Sequence, residues 1–177
     1  MKKQNLQKTI LSALFLAIGA VLPLLTMQIK EIGDSLLPMH LPVMLCGIIC
    51  GWQWGGTIGL ILPFLRSVTF GMPPIYPNAV WMAFELMTYG LIIGLLYSKL
   101  PKKIPYFYLS LIVSQIAGRI VWAVTKSILL GLGNKPFTFA MFISGGFVDA
   151  LPGIILQILI IPTIITLLNH KKFKTNR

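Results

Sequence analysis

Acidic side chains are almost missing from this chain. Only four Asp and Glu stand among 177 residues, against fifteen Lys and Arg, and charged residues of both signs make up just 11%. A water-soluble domain of this length carries far more charge, so that class is excluded. Cysteine is as scarce, with Cys46 and Cys50 alone. Four residues apart on a helix they share a face, but two thiols do not complete a tetrahedral metal site, and we read them as small packing residues. Also missing are Gly-x-Ser-x-Gly, His-Glu-x-x-His and the Gly-Lys-Ser/Thr phosphate loop. His40 falls at a helix start and His170 in a basic tail, so they form no catalytic pair. The expectation is a non-enzyme that carries no metal or cofactor and does not use ATP itself.

Long apolar runs take the place of charge. Hydrophobic residues make up 56% of the chain and the mean hydropathy is +0.84. About 20 helical residues cover the hydrocarbon core of a bilayer, and several runs reach that length. These features describe an integral membrane protein. The net charge of +11 invites a nucleic-acid reading, but its placement argues against one. Lys2, Lys3 and Lys8 precede the first apolar run; Lys99, Lys102 and Lys103 lie mid-chain; Lys171, Lys172, Lys174 and Arg177 close it. Basic residues flanking membrane segments mark cytoplasmic ends facing anionic lipid. The first run, from Thr9 to about Met27, has no convincing cleavage site and reads as a retained helix, not a signal peptide. No soluble domain, long linker or low-complexity tract interrupts the single membrane domain.

Glycine and proline breaks divide the chain into six predicted helices, near 8–28, 41–50, 54–70, 78–98, 106–130 and 143–169. Six crossings place both termini on one side together with the 99–103 loop. The opposite loops hold only Lys30 and Lys135. The positive-inside rule then sets the termini inside and the 30–40, 71–77 and 131–142 loops outside.

That topology assigns depths to the intramembrane charges. At 1.5 Å per residue, Arg66 and Lys126 fall about 6 Å from the outer helix ends, Asp149 about 9 Å and Glu85 about 10 Å. Arg119 lies deeper, near the middle. Gln115, Arg119, Trp122 and Lys126 follow one another at helical steps, as do Asn78, Trp81, Glu85 and Tyr89; Asp149, Gly153 and Gln157 make a third stripe. Charges facing lipid at these depths cost several kcal/mol, so the stripes should face inward. Simple pairing between helices explains one couple, such as Arg66 with Glu85. Five charges with aromatic rings and glutamines exceed what helix registry needs, and such a set suits a small anion or a carboxylate-bearing ligand.

At this point the chain resembles a known family. Length, six helices, an outward polar cluster and the missing ATPase resemble the substrate-binding S component of an energy-coupling factor (ECF) vitamin transporter. In the first helix, Ala13-Leu14-Phe15-Leu16-Ala17 is similar to the small-residue motif with which S components pack on the transmembrane coupling subunit, and Gly19 and Ala20 extend it. The stretches "LLPMHLPVMLCGIICGWQWG", "LRSVTFGMPPIYPNAVWMAFELMTYGLIIGLLY", "AGRIVWAV" and "GGFVDALPGIILQ" resemble the branch usually assigned to pantothenate. Related S components take riboflavin, folate or pyrimidine precursors on the same scaffold.

The resemblance implies capture of a vitamin on the outer side, followed by toppling in the bilayer. A coupling protein and two cytoplasmic ATPases in a prokaryotic plasma membrane would drive that motion. Arg119 or Lys126 would hold the pantothenate carboxylate; Asp149, Asn78 and Asn134 would take hydroxyl or amide groups. Trp81, Tyr89 and Trp122 would add contact surface. Glu85 would brace Arg66 or Arg119, with Gln115, Gln157 and His40 as further support. Gly33 and Pro38 are plausible hinges for a lid over the site. An ion-coupled secondary transporter is the rival from another class, but the chain shows no internal repeat.

Overall fold

Proline and glycine decide where the helices of this chain stop. The computed structural model describes residues 2–26, 36–133 and 137–175. Helix α1 (Lys2–Val21) begins within the Lys- and Gln-rich start, whose residues are good helix formers. It gives way at Leu22–Thr26 to a 3-10 turn. Pro23 lacks an amide donor and disfavours helical backbone in the residue before it, so the α-helix ends ahead of the expected boundary near 28. Residues 27–35, including Lys30 and the proposed hinge Gly33, lie outside the described residues.

Helix α2 (His40–Ile49) tolerates Pro42 because the first-turn amides have no helical partner. Gly51 follows with φ of 108°, a backbone that a side chain would strain, and turns the chain into α3 (Trp52–Phe70). Gly71, left-handed at φ 70°, caps α3 by donating its amide to the Ser67 carbonyl. A wide turn, Ile75–Ala79, leads into α4 (Val80–Lys99), and α5 (Ile104–Leu132) follows the 99–103 loop.

The last predicted helix is divided. Phe139–Ile143 forms one turn, capped by Thr138, whose hydroxyl accepts the Met141 amide at 3.3 Å. Ser144–Val148 then widens the backbone, with the Asp149 amide reaching the Ser144 carbonyl at 2.9 Å. The poor helix former pair Gly145-Gly146 accounts for the break. Helix α6 (Leu151–Thr175) continues from there.

Among the described residues, four segments are long and apolar enough to cross a membrane: Gln4–Leu24, Ile75–Lys99, Ile104–Leu132 and Phe139–Leu168. Helix α2, with 10 residues, is too short to span alone. Helix α3 has 19 residues, but Gln53, Arg66, three glycines and three hydroxyl residues dilute its hydropathy. No strand occurs among the described residues.

Helix α2 lies at the centre, buried from His40 to Ile48. On one side Met44, Leu45 and Ile48 pack with Tyr89, Ile93, Leu111 and Ile161. On the other, Val43 and Cys46 pack with Ala20, Ile58, Leu62 and Leu86. Cys46 Sγ also donates to Ser12 Oγ at 3.4 Å, and the described residues contain no group of three metal-ligating side chains. An apolar helix covered on every side is what a core helix should be.

Bare backbone holds α2, α3 and α4 together. A Cβ on Gly47 would lie 2.5 Å from the Gly90 carbonyl oxygen, and one on Gly55 would lie 2.5 Å from Gly47 Cα. At Gly90 it would approach the Gly55 carbonyl carbon to 2.3 Å. Where lipid competes for apolar surface, helices gain affinity by such close packing of small residues. Overpacking a tight core costs about 1–3 kcal/mol or more. We expect Gly90→Val to lower the thermal unfolding temperature in detergent well beyond Gly131→Val, where a Cβ meets nothing within 4 Å. Equal effects would remove the junction as a structural requirement.

Candidate functional site

The polar stripes of α4 and α5 meet face to face. Glu85, 2% exposed on α4, accepts a hydrogen bond at 2.9 Å from an Arg119 Nη on α5, itself 3% exposed. His40, the first residue of α2, brings Nε2 within 3.4 Å of the same Glu85 Oε1. Its ring stands edge-on to Tyr89, with centroids 5.0 Å apart. Tyr89 lies over Gly118, where a Cβ would come within 2.8 Å of the ring. Glycine at 118 therefore makes room for the phenol. Gln115 donates to Gln157 Oε1 at 3.0 Å, tying α5 to α6 in the interior.

One and two turns beyond Arg119 the chemistry becomes aromatic. The Lys126 ammonium sits over three rings: Trp122 at 4.4 Å, Trp81 at 5.2 Å and Phe137 at 5.8 Å. Ring faces carry partial negative charge and so attract an ammonium. Arg119 Cζ lies 5.9 Å from the Trp122 centroid, which joins the cage to the ion pair below. Gly145 and Gly146 pass against the Trp122 edge, a Cβ at Gly145 being 3.2 Å away. Cation, aromatic surface and a buried polar floor thus form one continuous assembly.

Arg66 and Asp149, also expected in the site, lie away from this cluster. Arg66 does not pair with Glu85. It donates from Nη to the Ala20 carbonyl at 2.7 Å and from Nε to the Met72 carbonyl at 3.4 Å, with Phe70 beneath at 5.3 Å. The end of α1 leaves carbonyls without helical donors, and a guanidinium satisfies them well. Asp149 is exposed at the approach to α6 and accepts from Ser144 Oγ at 3.2 Å, so the cluster does not include it. Asn78 is half-buried in the wide turn before α4. Asn134 lies outside the described residues.

On α1, Ala13 and Ala17 are exposed together with Leu14 and Ile18. Ala20 was expected on that docking face but is buried, packing with Leu62 and Cys46. Position 20 follows Ala13 by two helical turns and shares its face. It is buried because the end of α1 packs against α2 and α3 there, with the Ala20 carbonyl taken by Arg66. The sequence reading missed Phe137, an isolated loop aromatic with no helical spacing to mark it.

The family comparison agrees with this architecture. Residues 7–165 match the family described as ECF transporter, substrate-specific component. The chain belongs to that family and is a multi-pass membrane protein, a non-catalytic subunit of an importer that associates with transmembrane and ATPase components. No curated protein and no solved structure matches it.

The buried pair makes a prediction about folding. Removing one partner of a buried ion pair typically costs about 3–5 kcal/mol, because the other charge is stranded. Glu85→Gln and Arg119→Gln should each lower thermal stability sharply in detergent. The double variant Glu85→Gln with Arg119→Gln should be milder than the sum of the two single changes. Additive losses across that cycle would mean that the two charges are not coupled.

Proposed function

We propose that this chain is the vitamin-capturing subunit of a prokaryotic ECF importer and that its ligand is pantothenate. In this reading six crossings leave both termini in the cytoplasm, α2 and α3 completing the set. The cluster at the start of α4 and the end of α5 then opens outward. A coupling protein and two cytoplasmic ATPases supply the energy.

The observation that carries the reading is the Lys126 ammonium seated on Trp81 and Trp122, directly above a compensated Glu85–Arg119 pair. It bears on which cation meets the ligand carboxylate. Arg119 is committed to Glu85, so the pair serves as the floor of the site. Lys126 takes the carboxylate, and the indole faces cover the apolar middle of the ligand. This proposal gives the hydroxyl and amide groups to Asn78 and Asn134. Gln115, Gln157, His40 and Tyr89 brace the floor.

Trp81 and Trp122 make the binding test direct. Titrating purified protein with a panel of B vitamins should quench tryptophan fluorescence, with pantothenate tightest and its dissociation constant below micromolar. Lys126→Gln should weaken pantothenate roughly 30-fold or more while the protein stays folded, the scale for losing a charged hydrogen bond in a desolvated site. Failure of every B vitamin to bind below micromolar would end the vitamin reading. Unchanged affinity in Lys126→Gln would end only the role of Lys126.

The exposed face of α1 supplies a separate prediction. Ala13→Leu with Ala17→Leu should abolish uptake in cells that express the complete importer, yet leave vitamin binding intact. Uptake that survives the double change would remove α1 as the coupling surface.

A further inference from the structure

At the other end of α4 and α5 lies a cavity of about 790 Å³, bounded by the 99–103 loop, the first turns of α5 and the second half of α6. None of the candidate site residues lines it. Its wall is apolar, with Tyr97 and Phe107 packed edge to face at 5.7 Å opposite Ile165 and Leu167. The serine and threonine hydroxyls that line it are used within their own helices, and Tyr97, Tyr106 and Tyr108 also line it. Ser110 donates to the Tyr106 carbonyl, Thr163 to Leu159 and Thr166 to Pro162. A polar solute would lose its hydration there and gain little in return.

The rim has the opposite character. Lys102 and Lys103 border the cavity, and no acidic residue occurs in the sequence between Glu85 and Asp149. Lys102 Nζ lies 3.4 Å above the Tyr97 ring and donates to the Tyr97 carbonyl, which secures one of three ammonium donors at the cavity mouth. Partial burial lowers the pKa of this ammonium, and an anion beside it would offset that cost. The membrane-crossing segments Ile75–Lys99 and Ile104–Leu132 end and begin here, so the rim lies at the level of lipid headgroups.

An apolar slot beneath a basic, aromatic rim at headgroup level fits one kind of molecule. We propose that this cavity holds an anionic phospholipid, with an acyl chain along the Tyr97–Phe107–Ile165 wall and its phosphate at Lys102 and Lys103. A zwitterionic lipid offers the same chain but no net charge for a rim without acidic partners. This site is independent of the vitamin reading and needs only that α4 and α5 cross the bilayer.

The test uses the purified full chain exchanged into mixed phosphatidylglycerol and phosphatidylcholine, with retained lipid counted by native mass spectrometry. Phosphatidylglycerol should be retained in preference. Lys102→Gln and Lys103→Gln should each reduce its retention roughly fivefold, the factor for about 1 kcal/mol per basic residue near an anionic surface. Lys8→Gln, outside the cavity lining, should leave retention unchanged. Thr166→Trp, which fills the slot, should displace the lipid while the tryptophan unfolding transition persists. Equal retention of both lipids, an equal loss in Lys8→Gln, or full retention in the folded Thr166→Trp protein would each overturn the proposal. So would a Thr166→Trp protein that keeps its lipid and fails only to assemble with the coupling protein, since the slot would then be a protein-docking surface.

Discussion

Glu85 is the one buried carboxylate among the described residues, and most of the arrangement follows from keeping it there. A lone carboxylate in a low-dielectric interior is too costly to persist, so a cation must meet it at hydrogen-bond distance. Arg119 does so from α5 and His40 approaches from α2, which places three helices around one oxygen atom. The glycine junction makes this possible. Only where Gly47, Gly55 and Gly90 bring bare backbones together can α2 lie close enough to α4 for His40 to reach Glu85. Ion pair and junction are two halves of one constraint.

That constraint also sorts the chemistry along the helix axes. With α4 and α5 locked in register at Glu85 and Arg119, Trp81, Trp122 and Lys126 must gather at one end. Tyr97, Phe107 and the lysines of the 99–103 loop must gather at the other. One end combines a caged ammonium with a compensated polar floor, the composition of a small-molecule site. The other combines an apolar slot with basic residues, the composition of a lipid-facing surface. The exposed Ala13 and Ala17 lie on a third surface, along α1. Membership of the ECF substrate-specific family gives such a division a purpose, because these subunits must hold a ligand, contact lipid and meet partner proteins.

Arg66 shows where inference from spacing stops. Its position across a short loop from Glu85 suggests a local ion pair, and depth alone does not contradict it. The structure commits it to carbonyls at the end of α1 and in the loop after Gly71. Those acceptors are 46 and 6 residues away, and the former depends on where Pro23 ends a helix. Ala20 behaves in the same way. It continues a small-residue pattern on the same helix face, yet the packing of the end of α1 against α3 buries it beside Leu62. Asp149 has a carboxylate at a suitable depth, but the Gly145-Gly146 break turns the backbone and leaves it with Ser144.

The sequence by itself determined the class of the protein and the inward faces of two helices. Scarce charge, long apolar runs and basic ends leave only a membrane bundle. Steps of three and four along α4 and α5 follow from helix geometry, which no tertiary contact alters. Trp81, Glu85, Tyr89, Gln115, Arg119 and Trp122 are accordingly buried. Only the tertiary structure decided which charge meets which, that Phe137 completes the Lys126 cage, and that an apolar slot lies beneath Lys102. Helical periodicity sets the direction of a side chain about its own axis. Its partner depends on how closely another helix approaches, and at this core glycines scattered over three helices set that distance.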